Sequence, residues 1–197
     1  MKTLLISTAL AASLLPTVAS AQAIPPAVVA VVDLEKVTSE CNACKTAAAA
    51  LRSQATALQS RQTALATPLE TEGKAIQAAV DALPQGKEPD AALQARAKTW
   101  QSKRDAAAQE IARGEQQLQR NQAYINQQVR DKLGPIYQQV MQRRGANIMV
   151  ETGSTLATTT TVDVSNDVLA ALNAAMPTIV TQAPAQTTTP RKQPQGR

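Results

Sequence analysis

The stretch "AVVAVVDLEKVTSECNACKTAAAALRSQATALQ", residues 27–59, changes hydrophobic period part-way along, and that change decides the fold. Its first seven residues, 27–33, are largely β-branched and apolar on both faces, the pattern of a buried strand. From Leu34 the apolar positions step by four and three through Val37, Cys41, Cys44, Ala48, Leu51, Ala55 and Leu58. The same rhythm continues through Gln62, Leu65, Leu69, Glu72, Ile76, Ala79 and Leu83. That is the seam of a coiled-coil helix, interrupted only by polar Gln62 and Glu72.

"LPQGKEPD", residues 83–90, holds two prolines and a glycine and reads as a turn. Beyond it Leu93, Ala97, Trp100, Arg104, Ala107, Ile111, Gly114 and Leu118 keep the heptad, and Ile125, Val129, Leu133, Ile136 and Val140 continue it in a shifted phase. Two helical stretches flanking one turn predict an antiparallel hairpin over 34–145, each arm reaching roughly 70 Å if unbroken. "TPLE" at 67–70 and "LGPIY" at 133–137 predict kinks or interruptions. Gly145 is placed to cap the second helix, and 147–151 reads as a second strand. "LATTTTVDV", 156–164, is rich in β-branched residues and reads as a third, more exposed strand. "SNDVLAALNAAM" then predicts a short amphipathic helix with Ser165 as N-cap, Asp167 in its first turn and Pro177 behind it. The Pro-, Thr- and Gln-rich composition of 177–197 reads as a disordered tail.

"ECNACK", residues 40–45, holds both cysteines of the chain. Heptad spacing alone accounts for two small apolar side chains at Cys41 and Cys44; a disulfide, local or between subunits, and a redox couple are the alternatives. A thioredoxin-type redox motif sits at the mouth of a helix after a strand, whereas this one falls about two turns in. There is no histidine, so a zinc site lacks its ligands. No Gly-rich phosphate loop or nucleophile elbow occurs either. The chain therefore reads as neither an enzyme nor a metal or cofactor carrier.

Residues 1–21 read as a secretory signal peptide, with small-residue cleavage sites after Ala21 or Ala23, which predicts export to a periplasm. With no Phe, one Trp and two Tyr, an ordinary compact core is not expected. If the hairpin is an insertion, the folded body is 27–33 plus 146–176, roughly the 40-residue size below which a lone domain rarely stabilises itself. The expectation is an oligomer whose strands pool into a small barrel-like body, with Val29, Val31, Ile148, Val150, Val164, Val168, Leu169 and Leu172 at the interface. The formal charge is +5, and it is sorted. The arms carry the basic excess, with Lys98, Lys103, Arg104 and Arg113 the group expected to attract acidic unfolded chains, against a bland reading as solvated helix faces. The body carries Asp33, Glu151, Asp163 and Asp167.

In order along the chain, "VAVVDLEKV", the Gln- and Ala-rich hairpin, "PIYQQVMQRRGANIMVE" and "VDVSNDVLAALN" resemble the Skp, or OmpH-like, family of periplasmic chaperones. That resemblance covers nearly the whole mature chain. It implies a mainly α jellyfish-shaped homotrimer: a small β body, with helical arms around a cavity that holds unfolded outer-membrane proteins without ATP before membrane insertion. The family's lipopolysaccharide-binding basic cluster has no residue-by-residue match here. Arg191 and Lys192 of the tail are the remaining basic pair toward lipopolysaccharide or an anionic membrane surface, and nucleic acid is not an expected partner. The competing readings are a structural or adaptor coiled coil of the envelope and a redox protein using its two cysteines.

Overall fold

The computed structural model describes residues 24–185; the signal-peptide reading of 1–21 lies outside them. Strand β1, Val29–Val32, leads through Asp33 into helix α1, Leu34–Glu40. Helix α2, Asn42–Asp81, and helix α3, Ala91–Arg144, form the hairpin. Strand β2, Ile148–Glu151, and helix α4, Ser165–Ala175, complete the chain. The architecture is mainly helical with one small sheet.

β1 and β2 pair in parallel, Val29 opposite Ile148 and Val32 opposite Glu151, so the whole hairpin is the crossover between them. The third predicted strand does not form. On its other edge β1 meets only a bridge: Val31 N–H donates to Val162 O at 2.8 Å, and Val164 N–H donates to Val31 O at 2.9 Å. The threonine run satisfies itself locally, with Val162 N–H on Thr159 O at 3.3 Å and the Thr159 and Thr161 hydroxyls 2.7 Å apart. Side-chain and turn bonds of this kind compete with a ladder.

The first helix is also not continuous. Cys41 takes an extended ψ of 128°, ends α1 through its N–H on Val37 O and opens α2 as its N-cap. The break leaves Asn42 N–H free of helical partners, and Asn173 Oδ1 of α4 accepts it at 2.9 Å. Cys41 and Cys44 are joined in a disulfide, with Cys41 fully buried. The pair thus stands at a helix mouth rather than two turns in, and it is a local crosslink rather than two free thiols.

Neither proline interrupts its helix: α2 runs through Pro68 and α3 through Pro135. A mid-helix proline costs about 3 kcal/mol, yet seam contacts on either side hold these turns in place. Leu133 and Ile136 beside Pro135 are buried, and Trp100 Nε1 donates to Leu69 O, next to Pro68, at 2.8 Å. Gly145 caps α3 with φ 68°, a left-handed turn that suits glycine.

The core is a mixed cluster of body and arm root. Ala30 and Val32 of β1, Val37 of α1, Val140 and Ile136 of α3, and Val168 and Leu172 of α4 all pack together. The body is consequently larger than the strands and last helix alone, because α1 and the last four turns of α3 belong to it. Ser165 is not the N-cap of α4. Its hydroxyl instead accepts from Asp33 N–H at 2.8 Å and donates to Asp163 Oδ1 at 2.6 Å, tying the end of β1 to the start of α4.

Candidate functional site

Along the hairpin the seam is thin. On α2 only Ala43 and Ala47 are buried, and Leu51, Leu58, Leu65, Leu69 and Ile76 are half-buried. α3 is buried at its root, from Asn121 to Val140, and half-buried beyond. Small seam residues leave the two helices with apolar flanks that neither covers for the other. The arm therefore carries apolar clefts along its length.

At the root, an open groove of about 820 Å³ runs between α1, α2 and α3. Leu34, Leu51, Ile125, Val129, Leu133 and Tyr137 supply its apolar lining, with Arg52 and Arg130 at its edge. Burial, and then the charge of Glu151, push the Tyr137 phenol above its ordinary range, so it stays a neutral hydroxyl there. Further out, a second groove of about 620 Å³ is floored by Leu65, Pro68, Leu69 and Trp100 and edged by Lys103, Glu110 and the paired Glu72 and Arg96. Trp100 packs against Gly73, where an added Cβ would stand 3.1 Å from the ring. Arg104 sits over the indole ring, its guanidinium carbon 5.1 Å from the ring centroid.

Polar residues of the seam have partners across the hairpin. Glu72 takes a two-pronged hydrogen bond from Arg96 at 2.6 and 3.1 Å, and Arg61 makes the same contact with Glu110 at 2.6 and 3.2 Å. Those hydrogen bonds, first, hold the Glu72 and Glu110 carboxyls below their ordinary range. Gln62 faces solvent, and Gln54, one position before the predicted Ala55, enters the seam to bond Asn121 at 2.8 Å.

Of the four basic residues singled out in the sequence, Lys103 is brought to a groove edge and Arg104 onto Trp100. Lys98 is exposed away from both, and Arg113 bonds Gln109 one turn earlier at 3.2 Å. The grooves themselves, with Arg52, Arg96 and Arg130, carried no local motif; what signalled them was the poverty of the seam in large residues. Of the eight positions assigned to an oligomer interface, Val31, Val164, Val168 and Leu172 fill this chain's own core. Val150 and Leu169 are half-buried, and Val29 and Ile148 remain 39% and 42% exposed. Body acid and arm base also meet: Arg144 of α3 pairs with Asp167 of α4 at 2.6 Å. Among the described residues no group of His, Cys, Asp and Glu is arranged to hold a metal ion, and no helix is long and apolar enough to cross a membrane.

The family model for outer membrane protein (OmpH-like) matches residues 28–172, from the start of the sheet to the last turn of α4. The chain belongs to the OmpH-like family. The OmpH-like fold is seen again in the crystal structure of a candidate outer membrane chaperone from Caulobacter crescentus CB15. The two superpose with a TM-score of 0.66 at 21% identity, over 82% of this chain and 95% of that one. No curated protein matches the chain.

Proposed function

We propose that this OmpH-like protein is an ATP-independent periplasmic holdase, which takes unfolded outer-membrane β-barrel proteins between its helical arms and keeps them from aggregating before membrane insertion. The observation that carries the reading is the pair of open apolar grooves, edged by Arg52 and Arg130 at the root and by Lys103 further out, on a hairpin too thinly packed to cover its own flanks. Apolar clefts give weak, sequence-tolerant contacts, and the basic edges attract acidic chains over about 8 Å at physiological salt. Several weak contacts per arm add up to retention without fixing a client conformation.

A homotrimer would supply several arms around one cavity. Support comes from the body: Val28, Val29 and Ile148 form an exposed apolar patch, and the outer edge of β2 has no neighbouring strand among the described residues. A free edge beside exposed valines favours strand addition from another copy. The test is light scattering of an unfolded outer-membrane β-barrel protein diluted from urea, without nucleotide, alongside mass determination of the chaperone. Suppression by an oligomer at near-stoichiometric ratio is expected. A folded monomer that leaves aggregation unchanged would favour a structural or adaptor coiled coil.

A further inference from the structure

The chain does not leave the molecule after α4. From Pro177 it runs outward along the hairpin, on the flank of the α2–α3 seam opposite the root groove, and a row of side-chain amides holds it. Gln128 clasps Val180 at both ends of one residue: Val180 N–H donates to Oε1 at 3.0 Å, and Nε2 donates to Val180 O at 2.8 Å. Gln54 Nε2 donates to Thr181 O at 3.3 Å, and Ala183 N–H donates to Asn121 Oδ1 at 2.8 Å. Residues 177–183, assigned from composition to a disordered tail, are thus placed residue by residue.

Asn121 is the centre of this row. It is 3% exposed, donates to Gln54 Oε1 at 2.8 Å and accepts from Gln117 Nε2 at 2.7 Å, so its amide is oriented before the tail arrives. Every one of these tail bonds is made by tail backbone and none by a tail side chain. Burial alternates as in a strand, with Ile179, Thr181 and Ala183 turned inward and Val180 and Gln182 outward. The spacing also fits. From Asn121 to Gln128 is one heptad, about 10.5 Å of helix, and from Ala183 to Val180 is three extended residues, about 10 Å. Past Ala183, Ala57, Leu58, Gly114 and Leu118 carry the groove toward the far end of the hairpin as an apolar cleft of about 400 Å³.

We propose that Gln54, Asn121 and Gln128 form a main-chain reading site for extended polypeptide, and that residues 177–185 are its intramolecular occupant, displaced by an extended stretch of unfolded client. The inference rests on the holdase reading and adds what is recognised: backbone amides in extended conformation, whatever side chains they carry. Only Ile179 of the tail packs on the core, and the other contacts are partly exposed hydrogen bonds, which contribute little net energy each. A tethered occupant competes at an effective concentration of about millimolar. A long unfolded chain, which gains the grooves as well, can displace it; a short peptide cannot.

The experiment uses the full chain. Val180→Pro with Ala183→Pro removes both tail N–H donors and leaves the amide row intact. A fluorescein-labelled peptide of residues 177–185 is then titrated by anisotropy. The double-proline variant should bind it about tenfold or more tighter than the parent, as expected when a tethered competitor is removed. Adding Gln128→Ala should abolish the gain, and a peptide N-methylated at the positions of Val180 and Ala183 should not bind. Equal binding by parent and double-proline chain, or undiminished binding of the methylated peptide, overturns the proposal. Should the proline variant fold poorly by far-UV dichroism, hydrogen exchange of the Val180 and Ala183 amides in the parent decides. Exchange should speed up when unfolded client binds, and unchanged rates in the client complex overturn the site. Aggregation suppression by the parent is measured in parallel. Suppression without a peptide effect removes only the reading site, whereas loss of suppression removes the holdase function itself.

Discussion

The N–H of Asp33 donates to the hydroxyl of Ser165 at 2.8 Å, closing the end of β1 onto the start of α4 across 132 residues of chain. Ser165 is buried, whereas Asp33 is half-buried. Ser165→Ala should cost about 1 kcal/mol, the net contribution of a typical hydrogen bond. Urea unfolding followed by circular dichroism would show it. A change within error would mean that Asp33 N–H finds another acceptor.

The same serine sets an acid response. Its hydroxyl, then its backbone N–H, hold the Asp163 carboxyl below its ordinary value of 3.8, against opposing desolvation. A depressed folded pKa contributes stability that is present above the unfolded value and lost as pH falls through the folded one. Stability should therefore fall from about pH 4 downward, and Asp163→Asn should remove the body's share of that slope. Glu72 and Glu110 act in the same direction on the arm. Urea midpoints across pH 2 to 6, compared for parent and Asp163→Asn, are the check, and identical slopes would refute the assignment.

The Cys41–Cys44 crosslink closes a short loop, with a sequence separation of 3. On the chain-entropy account such a loop stabilises by about 2 kcal/mol. Reduction, or Cys41→Ala with Cys44→Ala, should lower the urea midpoint by that order and leave client holding nearly unchanged. A reduced chain that stays folded yet loses all holding would turn attention to thiol chemistry at the mouth of α2.

Trp100 is the chain's one tryptophan, so its fluorescence reports the outer groove alone. Gly73→Val should lift the indole off α2, break its bond to Leu69 O and red-shift the emission, with little effect on the urea midpoint of the body. An unshifted spectrum would show that the ring accommodates the added methyl groups in place.

Charge reversal separates the four basic residues. Lys103→Glu, at the groove edge, should slow client association at low salt, and Lys98→Glu, away from it, should slow it less. Equal effects in stopped-flow mixing would assign attraction to the net charge of the arm rather than to the groove.

Much of the hairpin was legible because a seam needs only periodicity. Leu93, Ala97, Trp100, Ala107, Ile111 and Leu118 are all at least half-buried, as their spacing predicts. The break at Cys41 had no glycine or proline to announce it; it depends on Asn173, which sits far along the chain. The threonine run misled because β-branched residues favour strands only where an edge accepts them, and here they bond one another in a turn. At Pro68 and Pro135 the expected interruption does not occur, since packing on both sides outweighs a local defect. The tail was hidden by composition: Pro, Thr and Gln read as solvated, and the amides that hold it stand at Gln54 and Gln128, positions assigned to no site.

The parallel pairing of Val29 with Ile148 has a consequence for the order of folding events. About 115 residues separate β1 from β2, and closing so long a flexible loop costs about 4 kcal/mol before any strand contact compensates. The hairpin avoids that search, because its turn lies midway and its contacts add outward from Leu83 and Leu93 one heptad at a time. By the time zippering reaches Cys44 and Val129, the short segments that lead to Val29 and Ile148 are all that remains to be closed. The arm is thus a folding guide as well as a surface: β1 waits unpaired from early synthesis, and arm variants that slow zippering should delay sheet formation while leaving the final stability of the body little changed.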